Sequence, residues 1–219
     1  AEIEKGYTAF EIGNNDMFVS SQPMPAHIWL VNATTSESKR LTDGDWTLPL
    51  VIPPSAPSSP FSWSPDGKTI LFVKVPDPYS GNKQKSTIQI LNVADGTFKP
   101  LTTRTKLEDY PNFSPDGSKI SYWFKKDNIA ESINELWLTN TNGGEGKAIS
   151  TTLNRDLYLS AWMPDNKSFL VGGHNDNLTS MWSMTLDGKT KALNLGSVSP
   201  SWRFWLDATV SKTGAIAFT

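Results

Sequence analysis

The sequence predicts an all-β fold built from repeated four-stranded antiparallel units. Three observations predict it. A turn of the form Ser-Pro-Asp-Gly recurs at nearly fixed spacing, and apolar residues flank each copy on both sides. Helix signals are scarce, while turn formers are abundant, with 15 Gly and 15 Pro in 219 residues.

The turns are Ser64-Pro65-Asp66-Gly67, Ser114-Pro115-Asp116-Gly117, Met163-Pro164-Asp165-Asn166 and Ser211-Lys212-Thr213-Gly214, spaced by 50, 49 and 48 residues. Pro at the second position presets φ, Asp follows, and Gly closes the fourth position, the chemistry of a type I turn. Phe61 and Trp63 precede the first copy, and Ile70 and Phe72 follow it, so each turn joins two strands of a hairpin. The Asp side chains are expected to bond their own turns rather than a ligand.

A third strand follows in each unit, at 27–32, 87–93, 135–140 and 180–185. Alternation in IWLVN and LWLTN puts successive side chains on opposite faces. A short turn then leads to a fourth strand at SKRLT, FKPLT, GKAIS and KTKAL. Four-stranded units at this period are the mark of β-propeller blades. The expected repeats run over 1–58, 59–108, 109–157 and 158–206, and a further blade starts at 207–219. Gly6–Phe10 aligns with Gly214–Phe218 at the second-strand position, so the chain is expected to start and stop inside blades. About four repeats therefore form part of a larger propeller, with open blade edges that leave room for self-association.

Composition narrows the function classes. A formal charge of −2 gives no electrostatic reason for a nucleic-acid partner. No apolar run approaches the length of a membrane helix, so membrane insertion is not expected. There is no Cys, which excludes disulfides and thiolate metal sites. That leaves the compartment open, with a periplasmic or extracellular location the expectation. The HNDN stretch at 174–177 lacks a calcium-loop pattern, and neither a metal nor a cofactor is assigned.

The segments HIWLVNATTSESKRLTDGDW and FSWSPDGKTILFVKV resemble the propeller domain of the prolyl oligopeptidase family of serine peptidases, which includes dipeptidyl and acylaminoacyl peptidases. The SPDGK-type repeat is also similar to that of TolB propellers. The long insertions VPDPYSGNKQKS and KKDNIAESIN favour the peptidases. The resemblance implies a seven- or eight-bladed propeller over an α/β-hydrolase domain that carries the catalytic residues. This chain has no G-x-S-x-G elbow and only two His, His27 and His174, so no catalytic residue is assigned to it. The implied function is a non-catalytic propeller portion that gates or binds peptides for the hydrolase domain. A TolB-like protein-binding propeller is the alternative.

Function sits preferentially on loops held by a rigid scaffold. The loops leading into the first strand of each blade combine charge with aromatic rings: Trp46, then Arg104, Asp109 and Tyr110, then Arg155, Asp156 and Tyr158, then Trp202, Arg203, Trp205 and Asp207. These are the candidate channel-face residues, for a peptide, a protein ligand or the hydrolase domain. The competing expectation is that the aromatics pack between blades while Arg and Asp pair with each other.

Overall fold

The computed structural model describes residues 25–49, 59–78, 84–201 and 206–219. Its backbone is a succession of antiparallel sheets in chain order. β1 (Trp29–Val31) pairs with β2 (Ser38–Arg40). Three four-stranded sheets follow, each a simple meander. They are β3 (Ser62–Trp63), β4 (Thr69–Lys74), β5 (Thr87–Asn92) and β6 (Phe98–Pro100); β7 (Glu108–Phe113), β8 (Lys119–Lys125), β9 (Asn134–Asn140) and β10 (Lys147–Ala148); and β11 (Leu157–Trp162), β12 (Ser168–Asn175), β13 (Leu178–Thr185) and β14 (Thr190–Ala192). β15 (Ala208–Val210) and β16 (Ile216–Phe218) form a last pair. The third and fourth strands fall where the alternating segments predicted them. The expected match of residues 6–10 lies outside the described residues.

The repeated turn behaves as its chemistry requires. The Ser64 carbonyl accepts the Gly67 N–H at 2.9 Å, and the Ser114 carbonyl accepts that of Gly117 at 2.8 Å. Asp66 Oδ1 accepts the Ser64 hydroxyl at 2.7 Å and the Lys68 N–H at 3.1 Å. These bonds, the hydroxyl's first, hold the Asp66 carboxyl below its usual range. In the third copy Asn166 stands at the glycine position with φ +57°. Its side-chain oxygen accepts the Asp116 N–H at 2.8 Å and so ties two neighbouring hairpins together.

Each core lies between two sheets rather than within one. Ile120, Tyr122 and Phe124 of β8 pack toward the preceding sheet with Leu71, Val73 and Ile88. Trp123 points the other way and packs with Phe169, Val171 and Trp182 of the next. Ile70, Phe72 and Leu91 meet Ile28 and Leu41 of the first pair, and Leu170 and Met181 meet Ile216 and Phe218 of the last. Burial on both faces explains why the second strands read as continuous apolar runs such as ILFV and ISYWF. Face-to-face stacking of successive four-stranded meanders is the architecture of a partial β-propeller.

Candidate functional site

The first strands of successive sheets converge on a cavity of about 340 Å³. Pro60, Tyr110, Trp123, Tyr158, Leu159 and Leu206 contribute to its lining. Two β-bulges aim side chains there. β7 breaks register between Asp109 and Asn112, with Tyr110 at φ +50°, and β11 breaks register between Leu157 and Leu159, over Tyr158. An extra residue in one strand redirects a side chain that regular pleating would send elsewhere.

Tyr110 stacks on Trp123 with centroids 4.1 Å apart and planes at 27°. The Trp123 indole N–H donates to the Ser160 hydroxyl at 2.7 Å, fixing the ring across the boundary between sheets. The Tyr110 N–H donates to Ser59 Oγ at 3.0 Å, which ties the bulge to the preceding repeat. The Tyr158 hydroxyl donates to Asp156 Oδ2 at 2.9 Å, and its ring meets His174 edge to face at 5.1 Å. Burial, reinforced by the Asp109 charge, pushes the Tyr110 phenol up to about 12. Burial also pushes Tyr158 up to about 12, followed by its bond to Asp156 and that group's charge. Both phenols are therefore neutral at physiological pH. The cavity presents rigid aromatic and aliphatic surface, suited to an apolar side chain.

The remaining sequence candidates separate by environment. Trp46 is 8% exposed and stacks on Phe72 at 5.6 Å, inside the core rather than on an open face. The physical reason is a backbone bridge between Thr47 and Val75 that folds its loop back onto β4. Arg155 donates from Nε and Nη2 to Asn175 Oδ1, each at 3.3 Å. Asp156 Oδ1 accepts the Asn134 N–H at 2.6 Å, so this pair is committed to separate structural bonds. Asp207 is exposed, and its carbonyl accepts the Thr219 N–H at 3.3 Å. Trp202, Arg203 and Trp205 lie outside the described residues. His27 sits beside Gly44 O at 3.2 Å, near a strand start. His174 lies on the β12–β13 hairpin, opposite Thr179.

Arg104 occupies a different place from the tyrosines. Its guanidinium lies 4.1 Å from the Phe124 ring centroid and 4.3 Å from that of Trp137. Nearby, Glu108 is 1% exposed at the start of β7. Its carboxyl accepts the Ile88 N–H at 2.9 Å and the Thr102 hydroxyl at 2.5 Å. Desolvation outweighs these bonds and raises its pKa above the ordinary glutamate value. Sequence reasoning missed Trp123, Glu108 and Ser160. Trp123 lies within the apolar run ISYWF, which carries no local sign of a site, and the one available signal for Glu108 was its place at the head of a first strand. Among the described residues, no group of three or more His, Asp and Glu stands placed to hold a metal ion.

Comparison with known proteins places this architecture. No family model matches the chain. It is 27% identical over 196 residues to dipeptidyl-peptidase 5 of Porphyromonas gingivalis, an alignment covering 83% of this chain and 27% of that protein. The chain spans about a quarter of the length of the curated relatives bearing that name. Among solved structures, TolB of Acinetobacter baumannii superposes with a TM-score of 0.56 at 18% identity, covering 87% of this chain and 42% of TolB. The oligogalacturonate lyase of Vibrio parahaemolyticus gives 0.62 at 11% identity, over 86% of this chain and 51% of the lyase. These structural likenesses carry the fold. The chain is a partial β-propeller, similar in sequence to dipeptidyl-peptidase 5, whose structural neighbours include TolB.

Proposed function

We propose that this chain is the peptide-facing propeller portion of a dipeptidyl-peptidase-like serine peptidase. It binds short peptides and admits them to a hydrolase domain, and performs no hydrolysis itself. The observation that carries the reading is the aromatic cavity of Tyr110, Trp123 and Tyr158, lined by residues of the first strands β7, β11 and β15. A peptide's apolar side chain can seat there while its backbone meets the polar rim. The similarity to dipeptidyl-peptidase 5 over most of this chain supports the same reading.

Calorimetric titration of the chain with di- to tetrapeptides bearing one Leu or Phe tests it. Binding is expected, weakened about tenfold by Tyr110→Ala, which removes a stacked ring from the cavity. Peptides that do not bind, or bind equally to both forms, would remove the reading. A TolB-like protein-binding propeller is the second reading, favoured by the TolB superposition over 87% of the chain. Binding to a folded protein domain, with no response to short peptides, would favour it.

A further inference from the structure

Arg104 stands in the segment between β6 and β7 with its side chain 11% exposed. The two rings of Phe124 and Trp137 cover the guanidinium, but a planar cation donates its hydrogen bonds in its plane. Its Nε donor is uncommitted. Nε is buried and has no hydrogen-bond partner, and the nearest acidic oxygen, Glu145 Oε2, is 3.6 Å from Nη2. That separation is beyond a hydrogen bond. Glu145 is drawn away because its other oxygen accepts the Thr103 hydroxyl at 2.6 Å. Its backbone carbonyl is in turn held by the Tyr122 hydroxyl.

A cavity of about 330 Å³ opens beside this group. Arg104, Lys106, Thr103, Thr105, Asn128 and Glu145 line it. Leaving a buried guanidinium without acceptors is costly, and a carboxylate can satisfy two of its N–H groups at once. A side chain already clamped flat by two rings loses little freedom on meeting such a partner. The Glu145 carboxylate, exposed and only loosely engaged with Arg104, marks the spot such a group would take.

We infer that this pocket is a carboxylate subsite that takes the free C-terminus of a short peptide, with Arg104 as its anchor and Glu145 as a displaceable internal competitor. The inference rests on the peptide-binding reading above and adds the chemical class recognised at a second pocket. Lys106 adds positive charge, and Asn128 and Thr105 supply neutral donors at the same rim.

The test compares Ala-Phe-Leu with its C-terminal amide, each titrated into the 219-residue chain by calorimetry and by NMR of the arginine Nε–H resonances. The free acid is expected to bind about tenfold more tightly than the amide, and to shift the Arg104 Nε–H resonance. Glu145→Gln, at a site 63% exposed, removes the competitor without touching the core. It is expected to tighten the acid about fivefold and leave the amide unchanged. Arg104→Lys keeps the charge but loses the planar fork, and brings the acid down toward the amide. Equal binding of acid and amide, with the Tyr110 and Tyr158 resonances perturbed, would remove the carboxylate subsite and leave the peptide-binding reading standing. No binding of either peptide would remove both.

Discussion

The α-carbon of Gly96 lies so close to the Leu41 carbonyl of the preceding sheet that a β-carbon there would stand 2.7 Å from the oxygen. Gly143 against Leu101 and Gly188 against Ile149 repeat the relationship, one sheet further on each time. These glycines close the turn between third and fourth strands, and they let neighbouring sheets meet backbone to backbone. Gly96 also has φ +77°. Gly96→Ala combines that strain with a backbone clash and is expected to cost roughly 3 kcal/mol. Gly67→Ala, where φ is +71° but nothing lies within 4 Å of the added carbon, is expected to cost about 1 kcal/mol. Urea unfolding of the two variants checks the difference, and equal losses would contradict the close packing.

Glu108 gives a pH dependence of defined sign. Its folded pKa is raised, first by desolvation, so the unfolded chain loses this proton before the folded one does. As pH rises above the ordinary value of 4.5, the folded state binds more protons and this group's contribution to stability falls. Glu108→Gln keeps an acceptor for the Ile88 N–H and is expected to flatten unfolding free energy against pH on the alkaline side of that value. Glu108→Ala strands two buried donors and is expected to cost roughly 3 kcal/mol. A slope unchanged by Glu108→Gln would show that another group governs this range.

The tyrosines of the cavity provide an optical test. Tyr110 and Tyr158 ionise near 12, and Tyr122 is raised further in the same direction, chiefly by burial. Alkaline titration by ultraviolet absorbance is expected to leave at least three of the five tyrosines un-ionised at pH 11. In denaturant all five should titrate near 10. Because the unfolded phenols ionise first, stability falls as pH rises above 10. Normal titration in the folded state would place these rings in open solvent.

Trp29 and Trp182 hold the same position of their repeats, each one residue past a carbonyl that accepts a fourth-strand N–H (Ile28 and Met181). Trp182 is covered by the preceding sheet at 7% exposure, whereas Trp29 is 57% exposed. Val31 and Met184 repeat the contrast at 58% and 0%. Trp182→Ala is therefore expected to cost roughly 3–5 kcal/mol, and Trp29→Ala within about 0.5 kcal/mol, in thermal or denaturant unfolding. A large loss at Trp29 would mean that its face is covered in solution.

The hairpins and third strands were legible because their signals are local. Pro, Asp and Gly fix a turn within four residues, and alternation fixes which side chains share a face. The cavity was only half legible. Tyr110 and Tyr158 stood out as aromatic residues near charges, but the bulges that aim them depend on tertiary bonds such as that from the Tyr110 N–H to Ser59. Trp46 looked like a loop anchor and was drawn into the core by the pairing of its neighbour Thr47 with Val75. Arg104 meets Phe124 and Trp137 only once β8 and β9 have folded back beside its loop, and no short-range pattern carries that meeting. Glu108 hides for the same reason, since its partners Ile88 and Thr102 belong to the preceding sheet.

Photo-crosslinking reports directly on whether a peptide seats in the aromatic cavity and stays intact there. A tetrapeptide carrying a benzophenone side chain is irradiated with the purified chain, and both the attachment site and the state of the peptide are read by mass spectrometry. The expected product is an intact peptide attached at or beside Tyr110, Trp123 or Tyr158. A peptide cleaved by the chain itself, or one attached only on the outer strands, would contradict the peptide-binding reading.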